Sequence, residues 1–563
     1  MKLSLLSNSR RRSMQWALAS ALSIMSVCSY AAEIAQPKLV VVLVVDGLPN
    51  EQVLRYRHQF GEGGFRRLLD QGAWFSNAHQ AHGITVTAVG HSAVLTGAYP
   101  YQHGIIGNNW IDPKTLESVY CTQDTRYQYI GEDTKADDGT SPLNLRASTV
   151  GDELRYATGN ASKVLTVSGK DRGAILLAGK TGTAYMFMKK TGNFASSTYY
   201  MQGHPAWQQA YSASKPQERF YGKEWQPLLA EKAYAGDAND DIVAPIKADK
   251  ADNANSDSRF PFKYVSKSGK PDAEYYDKLY IGPHVDELTL DFAKAAMEGE
   301  QLGKNPAGVP DVLGISLSSH DYVNHRFGPE SRMSHDHLQR LDRMLANFFT
   351  HLDKKIGMDN VLVVLTADHG FPNVPEFYQE RKHDSMRLNS SKMMDALNQH
   401  LFEKFALEKL AVKWSAPQVL LDYKKIEGKG LSRQEVENSA ARFLMNYDGI
   451  VNVYTRTQFE QGLPNTRQGI LLQRAWNSQR SGDLSIILKP FWHFGSRNEG
   501  TTHGTSYSYD SNVPLIFMGK LWFKAGAYGQ YAEVMDIAPT LSHILRIRPP
   551  AVSEGRVLTE TLR

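Results

Sequence analysis

Cysteine is scarce: the 563 residues contain two. Cys28 falls in the leader described below, so only Cys121 remains and no internal disulfide is expected. A large core or bound metal must then supply the stability that crosslinks give to smaller exported proteins. Long apolar runs are also missing. Residues 16–27 are too short to span a bilayer. They follow Lys2, Arg10, Arg11 and Arg12 and precede Ser29-Tyr30-Ala31, whose small residues suit cleavage. Residues 1–31 therefore read as a secretory signal peptide, and the mature chain as periplasmic or secreted. Met25 and Val27 fit a lipoprotein site at Cys28 poorly.

An excess of one charge is absent too. The formal net charge of +4 belongs to the leader, which holds four of the 63 basic residues and no acidic one. The remainder balances 59 basic residues against 59 acidic ones. That balance gives no reason to expect nucleic acid or an anionic membrane as partner. No repeat or low-complexity tract is visible, which argues against a solenoid.

What is present is a series of short, unbroken apolar runs. They occupy residues 39–45, 164–167, 312–317, 361–365 and 514–518. Such runs suit strands buried on both faces, as in a parallel sheet. Between them lie helical patterns. Residues 334–355 place Leu338, Leu341, Leu345, Phe348, Phe349 and Leu352 on one stripe. The alternation predicts an α/β sandwich with a central, mostly parallel sheet flanked by helices. Residues 192–282, which include the polar stretch 248–258, and 371–492 read as insertions into a catalytic domain covering 32–563. The second is predicted to be a small α/β cap, with strands at 418–421, 450–454 and 485–488 and a helix at 432–445. The aromatic stretch 199–225 either shapes a pocket mouth or packs inside.

Polar residues gather just after the predicted strands, the edge where open parallel sheets bind ligands. Asp46 follows the first run. Asp321 and His325 sit four apart in DYVNH, Asp368 and His369 share TADHG, and His503 lies in EGTTHGTS. One Asp after a strand is usually a cap or turn residue, and one His is usually a hydrogen-bonding surface residue. Three Asp and three His at one sheet edge instead suit two divalent sites with mixed nitrogen and oxygen ligands, zinc being the natural occupant. Two such ions clamp the attacking and leaving oxygens of a displacement at phosphorus.

In order along the chain come DGL (46–48), TAVGH (87–91), HGIIGNNW (103–110), SGKDRGAILLAGK (168–180), SSHDYVNHRFGPES (318–331), TADHG (366–370), EGTTHGT (499–505) and MDIAPTLSHIL (535–545). The ordered set resembles the alkaline phosphatase superfamily, and within it the single-chain, phosphate-irrepressible alkaline phosphatases. Nucleotide pyrophosphatase/phosphodiesterases are cousins. The resemblance implies one zinc on Asp321, His325 and His503. It implies a second on Asp46, Asp368, His369 and the oxygen of a nucleophile, Thr87, which precedes His91 by four residues. It further implies that Asn108, Lys170 and Arg172 bind the phosphoryl oxygens, with Lys170 standing where dimeric relatives hold a third metal. Val89 departs from the proline common in this turn. His91 is expected to pack behind the turn.

The residues themselves leave other readings of each feature. Thr87 read alone is a helix cap, and Lys170 and Arg172 a solvated charge pair. With the full set, the expected function is hydrolysis of small-molecule phosphate monoesters through a phosphothreonine, by a monomer. Lys170 and Arg172 favour a dianionic monoester over a diester with one negative charge. The alternatives are a phosphodiesterase or nucleotide pyrophosphatase with the same metals, and a catalytically silent metal- or phosphate-binding protein. A sulfatase lacks support, because there is no Cys-x-Pro-x-Arg motif.

Overall fold

The structure, a computed structural model, describes residues 35–238, 260–495 and 500–563. The expected leader, and the polar stretch 248–258 of the first insertion, lie outside the described residues. Leu39–Val45 is buried at every position. Seven consecutive β-branched or leucine side chains leave no polar face, so this strand can only sit inside a sheet covered on both sides.

It occupies the middle of a nine-stranded sheet. The order is Gly526–Glu533, Ala73–His79, Leu515–Met518, Val361–Thr366, Leu39–Val45, Asp311–Leu317, Val164–Ser168, Thr183–Phe187 and Phe194–Ala195. Leu39 pairs in parallel with Asp311 on one side and Val361 on the other. Two strands run against the rest. Leu515–Met518 is antiparallel to both its neighbours, and Phe194–Ala195 is antiparallel to Thr183–Phe187. A doubly buried strand carries the same apolar run in either direction, so composition did not disclose the reversal at 515–518. It matters for function. The amino end of this strand, and the His503 loop before it, arrive at the edge where the parallel strands have their carboxyl ends.

Helix Arg332–Lys355 buries Leu338, Leu341, Leu345, Phe348, Phe349 and Leu352, and the Ser331 hydroxyl accepts from Ser334 N–H at its start. Between residues 371 and 492, four strands form a second, antiparallel sheet. Its order is Ala411–Ser415, Gln418–Leu421, Leu484–Leu488 and Ile450–Thr455. Helices Ser390–Phe405 and Arg433–Met445 pack with it around Leu397, Leu401, Val436 and Leu444, a core distinct from that of the large sheet. The aromatic stretch 199–225 is packing: Trp225 is buried with Nε1 donating to Asp336 Oδ1 at 2.6 Å, and Tyr211 stands edge-on to Phe292. No helix among the described residues is long and apolar enough to cross a membrane. Cys121 is a free, buried thiol that burial pushes up to about 12, so it is protonated and unreactive.

Candidate active site

The predicted aspartates and His369 follow strands at one edge of the large sheet; His325 lies in the helix that carries Asp321, and His503 in the loop before Leu515–Met518. Asp46 follows Val45, Asp321 lies four residues past Leu317, and Asp368 and His369 follow Thr366. Two glycines let these loops close on one another. Gly47 has φ +70°, and a Cβ there would meet Asp321 Cα at 3.1 Å; its N–H donates to Asp368 Oδ1 at 3.0 Å. Asn324 Nδ2 donates to Gly47 O at 3.0 Å, tying the helix that carries Asp321 and His325 to the Asp46 turn.

Thr87 opens a ten-residue helix, Thr87–Thr96, in which every residue is buried. Val86, not Thr87, occupies the cap position. The first-turn N–H of Ala88 is satisfied by Asn108 Oδ1 at 2.9 Å. Thr87 therefore does not serve as the cap, and its Oγ1 lies 3.4 Å from Lys170 Nζ. Asn108 both braces this helix and keeps its NH2 group as the end available to a ligand. A Cβ on Gly90 would lie 2.1 Å from Asp368 O, so only glycine permits the helix to approach the Asp368 loop this closely.

The three histidines share one geometry. Nδ1–H donates to a backbone carbonyl in each: His325 to Thr501 O at 2.9 Å, His369 to Gly370 O at 2.9 Å, and His503 to Thr85 O at 2.7 Å. That fixes the tautomer and aims each Nε2 at carboxylate oxygens. His325 and His503 Nε2 stand 3.4 and 3.5 Å from Asp321 Oδ1. His369 Nε2 stands 3.5 Å from Asp46 Oδ1 and 3.6 Å from Asp368 Oδ2. Asp46 Oδ1, Asp321 Oδ1, Asp368 Oδ2 and His369 Nε2 are buried and make no hydrogen bond. Lone pairs facing lone pairs in a buried site call for a cation between them.

Among the described residues, three ligand groups are compact enough to hold an ion: Asp321, His325 and His503; Asp46, His91 and Asp368; and Asp46, Asp321 and His369. The first is the trio expected from sequence. The others share Asp46 and bring in His91 as well as His369. Electrostatics follow the geometry. Burial opposes charge on His369, yet without a metal the carboxylates of Asp368, Asp46 and Asp321 outweigh it and push the imidazole up to about 9, so that a proton on Nε2 takes the cation's place. Burial also opposes charge on Lys170, but Asp321 and Asp46 hold it above the ordinary ammonium range. Lys170 Nζ lies 2.6 Å from Asp321 Oδ2 and 2.8 Å from Asp46 Oδ2, so one ammonium joins residues of both predicted metal sites.

Arg172 stands further out. Its Nη1 donates to Tyr120 OH at 3.3 Å, and that hydroxyl donates to Asp171 Oδ1 at 2.6 Å. Its buried Nε has no partner. Lys170 and Arg172 both line a cavity of about 540 Å³, with Tyr129, Tyr280 and Tyr322 among its walls. Two contributors go beyond what the sequence assigned. His91 Nδ1 lies 2.9 Å from Thr87 O and 3.1 Å from Asp368 Oδ2, while its Nε2 accepts from Ser316 Oγ at 2.8 Å. His91 thus touches the candidate metal cluster instead of merely packing behind the turn. Its spacing of one helical turn from Thr87 was the available signal. Asp510 Oδ2 accepts from Gly504 N–H at 3.1 Å and Thr505 N–H at 2.8 Å, shaping the loop that carries His503. No sequence pattern marked it.

Comparisons with known proteins identify the family. The model of the type I phosphodiesterase / nucleotide pyrophosphatase family matches residues 40–510. Over 94% of this chain, a calcium-transporting ATPase of Myroides odoratus is 36% identical and covered over 95% of its length. Over the same share, alkaline phosphatase PhoV of Synechococcus elongatus is 36% identical and covered over 94%. Alkaline phosphatase PafA of Elizabethkingia meningoseptica is 35% identical, covering 94% of this chain and 95% of that one. The crystal structure of wild-type PafA superposes with a TM-score of 0.85 over 94% of this chain and 100% of that one, at 35% identity. The chain belongs to the type I phosphodiesterase / nucleotide pyrophosphatase family, within the alkaline phosphatase superfamily. It is an enzyme of the phosphatase type, built on the PafA fold.

Proposed function

We propose that this chain is an exported, zinc-dependent alkaline phosphatase that hydrolyses small-molecule phosphate monoesters through a phosphothreonine at Thr87. The observation that carries the reading is the set of three imidazoles whose Nδ1–H groups are pinned to carbonyls while Nε2 faces orphaned, buried carboxylate oxygens. Asp321, His325 and His503 would hold one zinc ion, and Asp46, Asp368, His369 and Thr87 Oγ1 the other. When bound, the two ions supply Lewis acidity that makes a threonine alkoxide accessible at neutral pH and offsets charge on the leaving oxygen.

The chain's own residues do the rest. Thr87 Oγ1 attacks phosphorus, forming the P–O bond to threonine as the bond to the alcohol breaks. Water then cleaves the phosphothreonine and releases phosphate. Lys170 Nζ, 3.4 Å from Thr87 Oγ1, and the Asn108 NH2 group donate to terminal phosphoryl oxygens near the nucleophile. Arg172 supplies further donors from the cavity wall. Residues 32–563 form the catalytic domain, with 192–282 and 371–492 as insertions and the second as a cap. Residues 1–31 direct export and are cleaved near Ala31. The enzyme acts as a monomer, without nucleic acid or a membrane as partner.

The competing reading is phosphodiester or pyrophosphate hydrolysis, the activity in the matched family's name. A buried ammonium beside the nucleophile favours the monoester. A dianion offers three unblocked terminal oxygens, whereas a diester offers two and a single charge. Thr87→Ala tests the core of the proposal: no phosphoenzyme should form on acid quench with labelled substrate, and turnover should be lost. Turnover at the wild-type rate would overturn the assignment of Thr87.

A further inference from the structure

Two cavities flank the carboxylate cluster, and their chemistry differs. The cavity beside Lys170 and Arg172 is lined by charged groups, including Glu132, Asp133, Lys135 and Asp138. On the other flank a pocket of about 260 Å³ opens between the two sheets. Its walls include Ile84, Val86 and His503 from one side, and Pro417, Leu472, Ile486 and Leu488 from residues 371–492. Thr502, Thr505, Ser506 and Tyr507 add hydroxyls to the wall, but none of its described lining residues is an acid, a lysine or an arginine. His493, also in the wall, is pushed down to about 3 by burial and is neutral.

We propose that this apolar pocket receives the organic group of the ester, so that the enzyme selects monoesters of aromatic or bulky apolar alcohols. The inference rests on the monoesterase reading and names its substrate class. Asp321 presents Oδ2 to Lys170 and Oδ1 to His325 and His503. Lys170, beside Thr87, marks the flank where nucleophile and terminal oxygens meet. In-line displacement sends the leaving oxygen away from the nucleophile, toward the His325 and His503 flank. The carbon skeleton attached to that oxygen then continues past His503, where Val86, Ile486 and Leu488 line the pocket. Apolar walls reward an apolar leaving group, and one methylene well placed in such a pocket is worth roughly 10-fold or more in kcat/KM. The small sheet thereby becomes a specificity element for chemistry that the large sheet performs.

The test compares benzyl phosphate with methyl phosphate, whose leaving alcohols have nearly the same acidity. The wild-type, zinc-saturated enzyme should prefer the benzyl ester by at least about 10-fold in kcat/KM. Phe494→Ala, which removes a partly exposed ring from the wall, should lower benzyl ester turnover and leave methyl ester turnover within about two-fold. A second readout needs no turnover and no folded variant. Calorimetric binding of benzylphosphonate should exceed that of methylphosphonate in the wild-type protein by a similar factor. Equal rates and equal binding for the two members of each pair would overturn the pocket assignment while leaving monoester hydrolysis intact. A benzyl preference abolished instead by Tyr129→Ala would place the organic group in the Lys170 cavity and overturn it too. Turnover of neither monoester, with diesters hydrolysed, would remove the function on which the inference rests, and the inference with it.

Discussion

His91 Nδ1 stands 3.1 Å from Asp368 Oδ2, and both side chains are fully buried. The same nitrogen is 2.9 Å from the carbonyl of Thr87. One imidazole therefore couples the turn that carries the proposed nucleophile to a carboxylate of the candidate metal cluster, with Ser316 Oγ holding its far side. Partners that orient metal ligands commonly contribute 10–100-fold to affinity or activity. His91→Ala should lower kcat by roughly that factor and reduce bound zinc per chain. His91→Asn, which keeps a donor, should recover part of both. Unchanged kcat and zinc content in His91→Ala would reduce His91 to packing.

Removing metal should destabilise the fold. Three buried carboxylates lie within a few ångströms of one another, and their orphaned oxygens gain partners only from cations. Zinc bound to the folded state alone stabilises by mass action, about 2.7 kcal/mol at one hundred times Kd. A chelator should lower Tm, and zinc titrated back should raise it with concentration. A Tm indifferent to both would contradict the cluster as a metal site.

Asp510 gives a pH dependence of a definite sign. Burial pushes its carboxyl up to about 7, above the ordinary value of about 3.9 expected in the unfolded chain. The folded state thus holds a proton that the unfolded state releases. The stabilisation is complete below the unfolded value and is lost as pH rises toward 7. In metal-free protein, Asp510→Asn should flatten the fall in Tm between about pH 4 and pH 7 and raise Tm at pH 8. Its amide oxygen can still accept from Gly504 and Thr505, so the His503 loop should be kept. A steeper pH dependence in the variant would contradict this.

Much of the site was legible because its residues follow strands that the sequence announces as unbroken apolar runs. Asp46, Asp321, Asp368 and His369 could be placed at a sheet edge from those runs alone. What could not be read was direction and depth. Residues 515–518 look like their parallel neighbours yet run the opposite way, and that reversal delivers His503. Ala411–Ser415 escaped notice because Lys413 faces solvent and only Ala411 is fully buried, so no apolar run marks the strand. Lys170 and Arg172 lie two apart and look equivalent in sequence. In the fold Lys170 is buried among the carboxylates, while Arg172 reaches Tyr120 on the cavity wall. Pairing of that kind depends on where neighbouring strands bring their loops, which local sequence does not encode.

The central claim is that buried cations beside Thr87 tune this site for monoesters. The measurement that tests it is kcat/KM for an aryl phosphate monoester and the matching bis-aryl diester, in zinc-saturated mature wild type and in Lys170→Ala/Arg172→Ala. The account predicts a large monoester preference in the wild type. It predicts a loss of roughly 100-fold or more on the monoester in the double variant, with a much smaller loss on the diester. A wild-type preference for the diester, or equal losses on the two substrates, would contradict it and move the enzyme to the phosphodiesterase branch of its family.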